Sequence, residues 1–327
     1  LASAFGGKII NWQELGGPDA PIELYLRDAQ SGVAQSVTDL ILQPADQDVA
    51  DRITRVPDSE DLDLQVSRDP LALALMAHSH IRFSQPLQIA GTCGVSLGAD
   101  PRRIKTQDYP ITTPIFLYMP MRRLPKIARD FLAYTSTSSA QAVIERAGFI
   151  NQSLEEVPLN QQGDRLAQAV FVAGLGPVDA NTTKPTAAEE ISGSVTTLQD
   201  LQAMLTFLAP LKRVTMSFRF LSGSSHLDAQ SRANINRLAT VLESGAYDGR
   251  QLAFVGFSDG LGHASDNLEI AQKRAETVRD AVLKSAEAIN LDRIDISTTA
   301  FGEAMPMACD DTDWGRNINR RVEIWVR

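Results

Sequence analysis

The sequence predicts a two-part protein in which an α/β region is joined by a linker to a smaller α+β domain. Strict alternation of apolar and polar residues from Val214 to Phe220 indicates a β-strand. Apolar residues spaced three and four apart between positions 267 and 284 indicate an amphipathic helix. Residues 175–194 are small, polar and proline-containing, which is typical of a linker or an exposed loop. The predicted parts are residues 1–155 (α/β region), 156–210 (linker with helical segments) and 211–327 (α+β domain).

The first region mixes short strands and helices. PIELYLRD alternates after a proline and predicts a strand, and SGVAQSVTDLIL after it predicts a helix capped by Ser31. PKIARDFLAYT and SAQAVIERAGF predict two further helices. In the second of these, Ala142, Val143 and Ala147 are expected on one apolar face, and Gly148 ends the helix.

The linker is flanked by two helical stretches, GDRLAQAVFVAG and TLQDLQAMLTFLAPL. The last domain gives the clearest pattern. Its predicted order is β-α-β-α-β-β, which favours a small mixed sheet with helices on one face. The segments that carry this pattern are VTMSFRF, LDAQSRANINRLATVLES, RQLAFVGF, the helix 267–284, IDISTTAF and RRVEIWV.

Composition excludes several classes of function. The net charge of −9 argues against non-specific nucleic-acid binding, which needs a basic surface. No run approaches the roughly 20 apolar residues of a membrane-spanning helix. No Ser-His-Asp order or pair of catalytic carboxylates indicates an enzyme, and no histidine spacing indicates a metal site or another cofactor. Since the chain lacks an initiator methionine and a signal peptide, it is expected to be a mature or truncated piece of a longer product.

Two further features leave alternatives open. Cys93 and Cys309 fall in different predicted domains, and they fit an interdomain disulfide, two free thiols or pairing with a partner outside the chain. The acidic run of Asp310, Asp311 and Asp313 is expected to be a solvated loop, with weak cation binding as the alternative.

The C-terminal region contains one carboxylate and one guanidinium that raise a functional question. Asp259 follows a predicted strand, and Arg274 lies on the next helix two turns after Asn267, on the same face. The acid and the base could form a salt bridge, or they could be the two halves of a receptor for a zwitterion.

The motifs around these residues resemble those of the OmpA-like peptidoglycan-binding domain. The resemblance covers about 110 residues and is carried by GFSDG, AQKRAETV, FGEAMP and GRNINRRVEIWV. It implies that Asp259 holds the ammonium group of diaminopimelate in the peptidoglycan stem peptide and that Arg274 clamps its carboxylate, as a bidentate arginine can.

The same resemblance implies that further residues line or support this pocket, while Arg321 braces the fold. Phe257-Ser258 stands where the family usually has His-Thr, and Ala271 stands where it often has serine. The supporting pocket residues are Ser258, Asn267, Asn319 and Arg320.

The N-terminal region resembles the second lobe of a PstS-type phosphate-binding periplasmic protein. The resemblance is carried by Asn11-Trp12, Gly16-Gly17, Arg27 and Ser31-Gly32. It implies a partial lobe of the type II periplasmic-binding-protein fold. In that lobe, Arg27 and the helix N-terminus at Ser31 and Gly32 hold phosphate or a similar anion.

Together, the two resemblances imply a protein associated with the cell wall in the periplasm of a Gram-negative envelope. Its C-terminal domain is expected to bind peptidoglycan, and its N-terminal module to bind an anion. Val33 replaces a family threonine, and the family's first lobe precedes the Asn11-Trp12 motif. These two departures favour an alternative, a scaffold or interaction protein whose receptor fold has lost its ligand.

Overall fold

The computed structural model describes residues 1–91, 93, 95–172, 197–221, 224 and 226–327. The predicted linker segment 175–194 lies outside the described residues. The described α-helices are α1 (Ala2–Phe5), α2 (Gly32–Val37), α3 (Ser59–Arg68), α4 (Pro101–Lys105), α5 (Lys126–Thr135), α6 (Ser138–Arg146), α7 (Gly163–Val172), α8 (Leu198–Leu208), α9 (Ala229–Glu243), α10 (Ala264–Ser285) and α11 (Asp313–Asn319). The described strands are β1 (Glu23–Arg27), β2 (Thr54–Val56), β3 (Ala72–Ala74), β4 (Ile89–Ala90), β5 (Ser96–Leu97), β6 (Glu156–Pro158), β7 (Lys212–Arg219), β8 (Gln251–Phe257), β9 (Asp295–Ala300) and β10 (Arg321–Val326).

The chain forms two compact units, and the second contains most of the C-terminal half. The first unit consists of Leu1–Leu87 and Ala133–Asn151, and the second of Gln88–Leu132 and Gln152–Arg327. The boundary predicted near residue 155 therefore differs from this division, because residues 88–132 pack with the C-terminal unit.

The first unit contains a parallel sheet in the order β2-β1-β3. Alternation along β1 places Leu24 and Leu26 in its core, where they pack with Phe5, Val37 and Leu42. Ser31 caps α2 as predicted, since its side chain accepts a hydrogen bond from the Ala34 N–H.

The predicted helices α5 and α6 are both present, but the face predicted for α6 is wrong. Ala142, Val143 and Ala147 are exposed, and the helix instead buries Ala140 and Gln141. Gly148 follows the helix with a positive φ of 83°, as expected of a glycine that ends a helix.

The second unit is built on a five-stranded mixed sheet in the order β6-β7-β10-β8-β9. Strand β10 is antiparallel to both β7 and β8, while β8 and β9 are parallel. The predicted β-α-β-α-β-β order is confirmed, with the short helix α11 added before β10.

Helices cover both faces of this sheet, so the prediction that they lie on one face is wrong. On one face, Leu238 of α9 and Val278 of α10 pack against Phe218 and Ile324. On the other, Met204 of α8 packs with Phe257 and Trp325. Helices α7 and α8, with strand β6, come from the region predicted to be a linker. These elements cover the second face of the sheet and bury the strand side chains that point to that face. The sequence pattern did not predict what would cover them.

Candidate functional site

The Asp259 turn follows the C-terminal end of β8, next to the N-terminal end of the neighbouring strand β10. Pairing of β10 with β8 places Arg321 opposite Phe257, so Arg320 falls beside the residues that follow β8. Arg320 Nη1 donates to Asp259 Oδ2 at 2.6 Å, and both side chains are largely buried. The other oxygen, Oδ1, accepts from the Leu261 N–H at 3.3 Å. The ion-pair partner of Asp259 is therefore Arg320.

Arg274 lies on α10 and forms no ion pair with any carboxylate in the described part of the chain. Its guanidinium carbon lies 5.5 Å from the centre of the Phe220 ring, a cation–π geometry. Burial lowers the pKa of Arg274, the positive charge of Arg320 lowers it further, and Asp259 opposes the shift. Asp259 therefore has an arginine partner in Arg320, whereas Arg274 has no carboxylate partner among the described residues.

Two buried side chains at this site have unused polar atoms. Ser258 is 3% exposed and Asn267 is 4% exposed. Within the described residues, Ser258 Oγ and Asn267 Nδ2 have no hydrogen-bond partner. A Cβ atom at Gly302 would lie 3.8 Å from both Ser258 Oγ and the Leu268 nitrogen, so this hydroxyl lies near the first turns of α10. Buried polar atoms without a partner are uncommon and indicate a missing ligand or water.

Asn319 supports the site from inside the protein. Its Oδ1 accepts from the Met307 N–H at 2.7 Å and from the Ala308 N–H at 3.1 Å. Its Nδ2 donates to the Ala308 carbonyl and to Asp310 Oδ1, both at 2.8 Å. Because all four of its hydrogen-bonding positions are used, Asn319 organises the 307–310 loop and has no group left for a ligand.

Asp310 is a part of the site that the sequence did not predict. Its Oδ2 accepts from the Gly260 N–H at 2.7 Å, next to Asp259. Burial raises the pKa of Asp310, and the charge of Asp259 adds to that shift against the hydrogen bonds from Asn319 and Gly260. The expectation of a solvated acidic run is therefore wrong for Asp310, though Asp313 is exposed and pairs with Arg316. No local pattern distinguishes the two acids.

Arg321 braces the fold, as predicted. It is fully buried, its guanidinium carbon lies 4.3 Å from the centre of the Phe257 ring, and its Nη2 donates to the Met305 carbonyl at 2.8 Å. It belongs to a buried cluster of four guanidinium groups and two carboxylates on the face of the sheet covered by α7. The members of this buried charge cluster are Asp108, Arg165, Arg213, Arg219, Arg321 and Glu323.

Cys93 and Cys309 form a disulfide, which was one of the alternatives left open. The prediction that they lie in different domains is wrong, because both belong to the second unit. Among the described residues, no group of three or more histidine, cysteine, aspartate or glutamate side chains is arranged to hold a metal ion. None of the described helices has the length and apolar character needed to cross a bilayer.

The predicted anion-binding residues lie together in the first unit. Arg27 ends β1, and Ser31 and Gly32 begin α2. A depression of about 540 Å³ is lined by Arg27, Asp28, Ala29, Gln30 and Ser31. Arg27 Nη1 donates to Ser59 Oγ, and Arg27 Nε is buried without a partner in the described chain. The sequence did not predict that Ser59 and Asp28 belong to this site. The negative charge of Asp28 weakens the attraction of the site for an anion.

Comparison with known proteins identifies the class of the C-terminal domain. Residues 219–320 match the model of the OmpA family, so this part of the chain is an OmpA domain. The outer membrane porin F of Pseudomonas aeruginosa is 31% identical over 119 residues, which are 36% of this chain and 33% of that protein. The solved peptidoglycan-associated lipoprotein from Burkholderia pseudomallei is 25% identical, with a TM-score of 0.30, over 34% of this chain and 89% of that chain.

The N-terminal region shows a weaker similarity to phosphate-binding proteins. The phosphate-binding protein PstS of Borreliella burgdorferi is 23% identical over 155 residues, which are 46% of this chain and 56% of that protein. The chain spans about a third of the length of the outer membrane porins that it matches. These porins are named as outer membrane proteins.

Proposed function

We propose that the OmpA domain binds peptidoglycan non-covalently by holding the free amino and carboxyl groups of diaminopimelate in the stem peptide. The observation that carries this proposal is the set of unused polar groups around one turn. Arg274 forms no ion pair with the described carboxylates, and Ser258 Oγ and Asn267 Nδ2 are buried without partners. A ligand that accepts from Arg274 and Asn267 and bonds to Ser258 would satisfy all three groups.

In the proposed complex, the ligand carboxylate lies against the guanidinium of Arg274 and the ammonium against Asp259. Each contact is a charge-assisted hydrogen bond, worth about 1.5–3 kcal/mol. The carboxylate also reduces the repulsion between Arg274 and Arg320, whose charge lowers the pKa of Arg274. In the proposed complex, the ammonium approaches Asp259 at Oδ1, which accepts only a long hydrogen bond of 3.3 Å from the Leu261 N–H, whereas Oδ2 accepts from Arg320 at 2.6 Å.

The anion-receptor-like unit forms the second part of the proposal. The depression beside Arg27, with the buried and unpartnered Nε of that residue, supports binding of phosphate or a similar anion. The alternative is a scaffold protein whose receptor fold binds no ligand, and the carboxylate of Asp28 in the depression favours that alternative. We place the whole protein in the periplasm of a Gram-negative envelope, attached to the cell wall. The disulfide is compatible with that oxidising compartment.

The test is cosedimentation with purified diaminopimelate-containing sacculi, together with calorimetry using free diaminopimelate. We expect Asp259→Ala and Arg274→Ala each to weaken binding at least tenfold, since each removes a contact worth about 1.4 kcal/mol or more. Asp280→Ala and Arg279→Ala are matched controls on the outer side of α10, where they pair with each other. Binding by both pocket variants at wild-type strength would disprove the assignment.

A further inference from the structure

A hairpin from the middle of the chain packs against the loop that supports the Asp259 turn. Strands β4 and β5 form this hairpin. Its residues Val95 and Leu97 are buried against Met307 and Ile318. The hairpin is therefore part of the C-terminal unit, although about 200 residues of sequence separate it from the loop, and none of the motifs of the OmpA domain lies in it.

The disulfide fixes this hairpin to the loop at one point. Cys93 is bonded to Cys309, and a Cβ atom at Gly91 would lie 2.2 Å from Cys309 Sγ. Only glycine fits there without a shift of the sulfur. On the other side of the loop, a Cβ at Gly315 would lie 1.8 Å from the Cys309 carbonyl oxygen, so α11 also packs closely on this residue.

A short path of covalent and hydrogen bonds leads from the disulfide to the proposed ligand site. Asp310 follows Cys309 directly, and its carboxylate accepts from the Gly260 N–H at 2.7 Å. Gly260 follows Asp259. Arg316 Nη1 donates to the Asp310 carbonyl at 2.6 Å and holds the same residue from α11. The hydrogen bond between Asp310 and Gly260 therefore connects the position of Cys309 to the Asp259 turn.

We propose that the Cys93–Cys309 disulfide and Asp310 are positioning residues for the diaminopimelate site, and that reducing the disulfide weakens binding of the stem peptide. The inference rests on the proposed function of the OmpA domain. In the reduction, a dithiol transfers two electrons and two protons to the disulfide. The bond between the two sulfurs breaks, two cysteine thiols form, and the dithiol becomes a disulfide. The loop then loses its covalent tie, and the carboxylate of Asp310 is held less firmly against Gly260.

The experiment compares the affinity of the oxidised and the dithiothreitol-reduced protein for free diaminopimelate, with Asp310→Asn prepared in both states. Asparagine keeps an acceptor for Gly260 but cannot also accept from Asn319. We expect reduction and Asp310→Asn each to weaken binding about tenfold, which corresponds to 1.4 kcal/mol. Because both changes act through one contact, the reduced Asp310→Asn protein should bind diaminopimelate about tenfold more weakly than the oxidised wild type, and not about a hundredfold. Asp292→Asn, an exposed change just before β9, is the matched control.

A second readout tests the path itself. Hydrogen exchange of the Gly260 amide should accelerate on reduction and in Asp310→Asn, while the amides of β8 keep their protection. Equal affinity of the oxidised and reduced wild-type proteins would overturn the inference. It would also be overturned if the reduced Asp310→Asn protein bound about a hundredfold more weakly, as expected of two independent effects. If the reduced protein unfolds, the oxidised Asp310→Asn variant decides, and unchanged affinity would then reject the inference. Absence of binding by the oxidised wild type would instead reject the proposed function.

Discussion

Asp108 is the residue that the segment 88–132 contributes to the buried charge cluster. Its side chain is fully buried, with Oδ2 2.7 Å from Arg213 Nη1 and Oδ1 3.2 Å from Arg219 Nη2. Thr106 Oγ1 also donates to Oδ2 at 2.8 Å. Asp108→Asn keeps the volume and one acceptor but removes the negative charge. The cluster then holds four guanidinium groups and a single carboxylate, that of Glu323.

The cost follows from the burial of the remaining charges. Arg213 and Arg219 are both less than a tenth exposed, so water cannot replace the lost counter-charge. Breaking a buried ion pair by removing one partner costs about 3–5 kcal/mol. Since a domain is stabilised by only about 5–15 kcal/mol, the variant should lose a large part of its stability. The loss should appear in the second unit, to which all members of the cluster belong.

Urea denaturation followed by tryptophan fluorescence measures this loss, because Trp325 lies buried in the second unit and Trp12 lies in the first. We expect a lower midpoint for the second unit and little change for the first. Asp130→Asn is the matched control, since it removes the same charge from an exposed position in the same unit. A loss of about 0.5 kcal/mol or less, the range of ordinary surface substitutions, would refute the reasoning.

The remaining predictions concern pH and anion binding. Burial raises the pKa of Glu323, but Arg165, Arg213 and Arg321 outweigh it and hold this pKa at about 2, below its ordinary value of 4.5. The folded state therefore favours the ionised form, so the stabilisation is complete above about pH 4.5 and is lost as the pH falls towards 2. The urea midpoint should decline over this interval, and a flat profile would contradict the assignment. For the anion site, calorimetry with phosphate should give micromolar binding that Arg27→Ala abolishes and the exposed Arg68→Ala retains. Absence of heat in the wild type would support the scaffold alternative.

Much of the OmpA domain could be predicted because its sequence patterns are local. Val322, Ile324 and Val326 alternate in β10 and all reach one core. The apolar residues of α10 at three- and four-residue spacing are buried in the same way, with the exception of Leu268, which is half exposed. In such elements, the spacing of the apolar residues predicts directly which face is buried.

The partners of polar residues could not be predicted, since they come from distant parts of the chain. Arg213 and Asp108 are separated by 105 residues, and Cys93 and Cys309 by 216. Ser217 and Arg219 are polar positions of the alternating strand predicted at 214–220, yet both are buried by residues that no local pattern connects to them. The pairing of Asp259 with Arg320 was missed for the same reason, because it depends on the register between β8 and β10.

That register also explains why Asp259 pairs with Arg320 and not with Arg274. Arg320 occupies one oxygen of Asp259, and Arg274 lies against the ring of Phe220, so the acid and the base of the site do not neutralise each other. Burial and the charge of Arg320 lower the pKa of Arg274, and the charge of Asp259 opposes this shift. A ligand carboxylate next to Arg274 would oppose it further. A ligand that carries only an ammonium group would leave Arg274 without a carboxylate partner. A ligand with a carboxylate is attracted, and an adjacent ammonium can then reach the second oxygen of Asp259. We therefore propose that the site selects the zwitterionic end of an amino acid over a ligand that carries either charge alone.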